Sequence, residues 1–150
     1  MRALDGKGIV VRAMGAEVGR ASGIKMCYAA LTKGTFTLHT AVLVAAEVMG
    51  LTAELDRELR DSQQAVHARM AATVPGLPAD AARWIGEMVE IAATFADAGV
   101  TPKFHQGAAE IFRLLAETRF ATETRENMDP NRGLEEVIPV YAAGLRRKDG

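Results

Sequence analysis

From about Val18 to Met49 the apolar residues Ile24, Tyr28, Leu31, Leu38, Val42, Ala45 and Met49 recur at three- and four-residue steps. That is the α-helical period. No proline interrupts the run, and Gly50 follows it as a C-cap. At a rise of ~1.5 Å per residue the helix would be ~45 Å long. Gly23 and Gly34 weaken it and mark a bend or close helix contacts. Shorter helices follow. The second has Thr52 as N-cap, with Leu55, Leu59, Val66 and Met70 on one face, and "VPGLP" (Val74 to Pro78) ends it. The third, about Ala79 to Ala98, turns Trp84, Ile85, Met88, Ile91, Ala92 and Phe95 inward and stops at Gly99. Thr101-Pro102 opens a fourth that buries Phe104, Ala108, Ile111, Leu114 and Leu115. A last helix, about Leu134 to Tyr141, follows "NMDPNRG" and is limited by Pro139. The only strand-like run is Ile9-Val10-Val11, and a lone strand cannot make a sheet. The pattern predicts an all-α bundle over residues 18–150, built around one long N-terminal helix, with residues 1–17 as a non-helical preface.

Composition agrees with this. A chain of 150 residues, 49% hydrophobic and 25% charged, fits one globular domain. Aromatic residues make up 5% and alanine is the commonest apolar type, which favours packed helices over a β-sandwich. With 18 basic and 19 acidic residues the net charge is −1, so a nucleic-acid role has no electrostatic footprint. Arg146-Arg147-Lys148 reads as a solvated end. The single cysteine, Cys27, reads as a small buried hydrophobe; it allows no disulfide framework and no cysteine-based zinc site. His39, His67 and His105 lie outside any Glu-x-x-His or His-Glu-x-x-His pattern, so no metal is expected. The N-terminus lacks the apolar core of a signal peptide, and Ala41 to Ala46 is too short to span a bilayer. The expectation is a soluble cytoplasmic protein with no membrane partner.

One residue stands against its surroundings. In "GRASGIKMCYAALTKG" (Gly19 to Gly34), Lys25 is flanked by Ile24, Met26, Cys27, Tyr28, Ala29, Ala30 and Leu31. Burying an unpaired ammonium is strongly unfavourable. Stepping ~100° per residue puts Ser22, Lys25, Ala29, Thr32, Lys33, Phe36, Thr40 and Glu47 on one arc, beside the apolar stripe. The spacing is compatible with a solvated lysine and with one lining a cleft against a second domain.

The stretch "GRASGIKMCYAALTKGT" together with "RWIGEMVEIAATFADAGVTPKFHQGAAEIFRLL" (Arg83 to Leu115) resembles the helical C-terminal domain of NAD-binding, phosphogluconate-dehydrogenase-like oxidoreductases. These belong to the β-hydroxyacid dehydrogenase superfamily, and the resemblance covers roughly Ile9 to Leu115. It implies a parent protein in which a Rossmann domain binds NAD or NADP while the helical domain closes the substrate cleft and dimerises. The family's catalytic lysine lies near the start of the interdomain helix, a few residues after a glycine, where this sequence has Lys25. The resemblance implies Lys25 as general acid/base for the hydroxyl of a small hydroxyacid. It implies Ser22, Tyr28 and Thr32 as its substrate-binding neighbours. Such chemistry suits a desolvated lysine with a lowered pKa.

The sequence also departs from the family. The asparagine three residues after the lysine in the hydroxyisobutyrate branch is Tyr28, and the histidine–asparagine pair of 6-phosphogluconate dehydrogenases is Tyr28-Ala29. Their second catalytic acid is Thr32, so oxidative decarboxylation of 6-phosphogluconate is not implied. The lysine–aspartate pair that touches the cofactor falls on Gly86-Glu87, which leaves Glu87 as the one cofactor contact in this chain. A glycine-rich Rossmann turn is missing, because "GAEVGRASG" opens the helix of Lys25. Ile9 to Arg12 would match the last Rossmann strand, left over from an absent cofactor domain. The expected function is therefore that of a dehydrogenase's C-terminal half, inactive alone and completed by a Rossmann domain in cis or trans. The competing reading is a stand-alone helical dimerisation or interaction module without catalysis. Both expect a homodimer, since apolar residues cover most of the first helix's circumference between Ile24 and Val48.

Overall fold

The computed structural model describes residue 15 and residues 17–146. The strand expected at Ile9–Val11, and with it most of the 1–17 preface, lies outside the described residues. Among the described residues the fold is all-α, with six helices: α1 (Arg20–Met49), α2 (Thr52–Ser62), α3 (Gln64–Thr73), α4 (Pro78–Asp97), α5 (Lys103–Ala116) and α6 (Leu134–Arg146). The long first helix is 30 residues. Gly50, at φ 71°, ends it: the Gly50 N–H donates to the Glu47 carbonyl and the Leu51 N–H to that of Ala46. Only glycine takes that left-handed turn without strain.

The single second helix expected after Thr52 is two helices, broken at Gln63 with φ −137° and ψ 51°. Thr52 is no cap. It is the first helical residue, and its hydroxyl donates to Glu47 Oε2 at 2.7 Å, tying α2 to the end of α1. Val74–Gly76 forms a buried 3₁₀ turn whose Val74 carbonyl accepts from the buried Tyr141 hydroxyl. Burial pushes that phenol well above its ordinary pKa. Pro139 does not limit the last helix, which continues to Arg146. The proline sits near the start of α6 and is exposed, so the one carbonyl it leaves unpaired is close to water.

The core lies where α1, α4, α5 and α6 meet, with Met88, Ile91, Phe112, Leu115, Val137 and Tyr141 almost wholly buried. Trp84 bridges it, stacked on Phe36 at 6.2 Å and edge-on to Phe112 at 5.4 Å. The segment between α5 and α6 is closed by Phe120, buried beneath Arg132, whose guanidinium forms a two-pronged pair with Glu123 at 2.6 Å.

The orientation of α1 follows its polar arc. Thr40 is fully buried, Ala29 and Phe36 pack on the core, and Lys33 reaches α4. The Thr37 and Thr40 hydroxyls donate to the Gly34 and Phe36 carbonyls, which satisfies them inside the bundle. The apolar stripe instead faces outward, with Tyr28 72% exposed and Ile24, Leu31, Leu38 and Met49 all more than half exposed. Two further expectations are corrected. Phe104 is 77% exposed rather than buried, because the neighbouring His105 takes the inward position against Phe95 and Gly34. Cys27 is exposed rather than buried, since among the described residues no helix covers that side of α1.

Candidate functional site

The first turns of α1 form one end of the bundle. Between Arg20 and Tyr28 only Gly23 and Met26 are even partly buried, and core packing begins at Met26. Lys25 is exposed at that rim, on the side of α1 that farther along faces the bundle. Among the described residues no carboxylate pairs with its ammonium. Ser22 is exposed one turn earlier, and Thr32, half-buried two turns later, donates its hydroxyl to the Tyr28 carbonyl at 3.0 Å. Tyr28 is rotated away toward the apolar stripe, and its ring stands in the open. Ser22, Lys25 and Thr32 thus line one side of α1, with Tyr28 at the edge.

Glu87 sits elsewhere in the geometry. Its carboxylate is paired with Lys33 and lies 3.4 Å from Arg83. The Lys33 side chain is only 14% exposed, and its ammonium sits 5.4 Å from the Trp84 ring centre. Arg83 continues the chain of charges to Asp80 at 2.7 Å, and Arg125 approaches the same carboxylate at 2.6 Å. Burial alone would raise Asp80, but hydrogen bonds from Arg83 and Arg125 outweigh it and hold the carboxyl below its usual range. Lys33 shares the arc of Lys25, but the sequence around it carries no sign of a partner on α4. The spacing Asp80, Arg83, Glu87 was a legible charge ladder on α4, yet nothing local joined it to α1.

Glu87 is thus held between Lys33 of α1 and Arg83 of its own helix. No group of three or more His, Cys, Asp or Glu among the described residues could hold a metal ion. His39 and His105 are both buried, each with an unbonded Nδ1, and burial pushes both imidazoles below their ordinary pKa. Among the described residues no helix is long and apolar enough to cross a membrane.

Two grooves flank α1. One, of about 520 Å³, runs between α1 and α5 past Leu31, Leu38 and Phe104, with His105 in its wall. The other, of about 560 Å³, lies at the far end of α1, where α2, α3 and the start of α6 converge.

A protein-family model described as a domain of unknown function (DUF1932) matches residues 46–115, from the end of α1 to the end of α5. Glu87 falls inside that span; Ser22, Lys25, Tyr28 and Thr32 precede it. The fold is similar to the crystal structure of a conserved hypothetical protein from Sinorhizobium meliloti 1021, with TM-score 0.74 and 25% sequence identity over 92% of this chain. This chain spans 46% of the length of that one. Among curated proteins none matches the chain.

Proposed function

We propose that this chain is the helical domain of a two-domain NAD(P)-dependent oxidoreductase acting on a small hydroxyacid, with Lys25 as general acid/base. The observation that carries this reading is the position of Lys25. It stands on the bundle-facing side of α1, at the rim where the bundle's own packing stops. A lysine there faces a space that a second domain docked on the first turns of α1 would close into a cleft. The resemblance of Gly19–Gly34 to an interdomain helix supports the same placement.

In that cleft the Lys25 amine accepts the proton of the substrate hydroxyl as the carbon's hydride leaves. In the reverse direction its ammonium returns the proton to the forming alkoxide. Hydride acceptance is the chemistry that NAD or NADP supplies, held by the other domain. Ser22 offers its hydroxyl to a substrate carboxylate, and Thr32, whose hydroxyl already donates to the Tyr28 carbonyl, offers an acceptor oxygen to a substrate hydroxyl. The outward stripe of Ile24, Leu31, Leu38 and Met49 serves self-association in this reading.

The experiment is a turnover assay on the protein carrying both domains, with a panel of small 2- and 3-hydroxyacids and either nicotinamide cofactor. Reduction of cofactor by at least one hydroxyacid is the expected result. No NAD(P)-linked turnover with any of them overturns the proposal and leaves a non-catalytic dimerisation module.

A further inference from the structure

The cavity at the far end of α1 lies outside the proposed cleft and does not depend on it. Leu43, Leu55, Leu59, Ile138 and Pro139 give it apolar walls, and its volume of about 560 Å³ suits a small organic molecule. Its polar groups are unequally satisfied. Asp56 accepts from Arg60 Nε at 2.7 Å and is 2.8 Å from His67 Nε2, so that carboxylate has a cation of its own. Glu47 lines the same cavity, and among the described residues its partner is the Thr52 hydroxyl. Glu135 also lines it, its carboxylate folded back over Gly133, and no cation among the described residues pairs with it.

We propose that this cavity binds an apolar primary amine, its hydrocarbon body on the leucine wall and its ammonium between Glu47 and Glu135. The charge count decides the class. Asp56 and Arg60 cancel, leaving two carboxylates without a cationic partner among the described residues, beside an apolar surface. The start of α6 would by itself attract an anion, but Glu135 and Glu136 already occupy its first turn. An apolar carboxylate is therefore repelled where the ammonium is held. A neutral alcohol of the same shape keeps the wall contacts and loses the charge pairing.

The test is calorimetric titration of the chain with cyclohexylmethylamine, cyclohexylmethanol and cyclohexanecarboxylate near neutral pH. The amine is expected to bind about tenfold or more tightly than the alcohol, and the carboxylate more weakly than either. Glu47→Gln with Glu135→Gln should lower amine affinity about tenfold and leave alcohol affinity unchanged. Ala53→Trp, which fills the cavity from α2, should abolish binding of both. Circular dichroism checks that the variants fold, and the single Glu135→Gln change on the exposed start of α6 repeats the test if the double variant does not. Equal affinities for the three probes, a preference for amine that survives loss of both carboxylates, binding unaffected by Ala53→Trp, or no binding of the amine would each overturn the proposal.

Discussion

Lys33 on α1 and Glu87 on α4 form an ion pair, with the lysine side chain 14% exposed and set against the Trp84 ring. The pair joins the bundle-facing side of α1 to α4. Partly buried pairs of this kind couple more strongly than surface ones, because removing one partner strands the other. A double-mutant cycle of Lys33→Met and Glu87→Gln, read by urea unfolding, is expected to give a coupling of about 1 kcal/mol. Additive effects would mean that the pair does not hold α1 against α4.

The outward stripe of α1 should mediate self-association. Leu31 and Leu38 stand one above the other beside exposed Phe104, at the groove between α1 and α5. Light scattering at micromolar concentration is expected to show a dimer or larger species. Leu31→Glu with Leu38→Glu should yield a folded monomer, since both side chains are already in water within one chain. A monodisperse wild-type monomer would contradict this.

Acid should weaken the fold before its carboxylates titrate. His39 and His105 are buried with imidazole pKa values below the ordinary histidine value, His39 through burial and then the Arg69 charge, His105 through burial. A folded-state pKa below the unfolded one means that the unfolded chain takes up protons first as pH falls. The stabilisation is then complete above about pH 6.5 and is lost on going below it. The thermal midpoint should fall between pH 7.5 and 5.5, and His39→Gln with His105→Gln should flatten that dependence. An unchanged slope in the double variant would rule out these two residues as its cause.

The bundle was largely legible in the sequence. The period of α1, Gly50 as its end, Gly99 as the stop after α4 and the break at Val74–Pro78 are local signals that tertiary contacts left standing. Orientation was not legible in the same way. The arc bearing Lys33 and Thr40 faces inward because of its partners, and those are a helix carbonyl and a carboxylate 54 residues away. Phe104 and His105 traded places for a related reason: the ring of His105 fits the site beside Gly34, and hydrophobicity alone ranks the two the other way. Lys25 came from the letters around it, through resemblance. Its spacing alone left it between solvent and cleft.

That choice is settled most directly by Lys25→Met in the protein that carries both a nicotinamide domain and this chain, assayed on whichever hydroxyacid it turns over. The substitution keeps an apolar stem of similar length and removes the proton-transfer group. It touches no ion pair among the described residues, so folding should be unaffected. We expect kcat to fall by roughly 10²–10⁴, the usual contribution of a positioned acid/base, with cofactor affinity nearly unchanged. Lys103→Met, an exposed lysine at the start of α5, is the control and should leave turnover alone. Turnover by Lys25→Met equal to that of wild type and of the Lys103→Met control would contradict the account, and would return Lys25 to the role of a solvated lysine at the rim of the bundle.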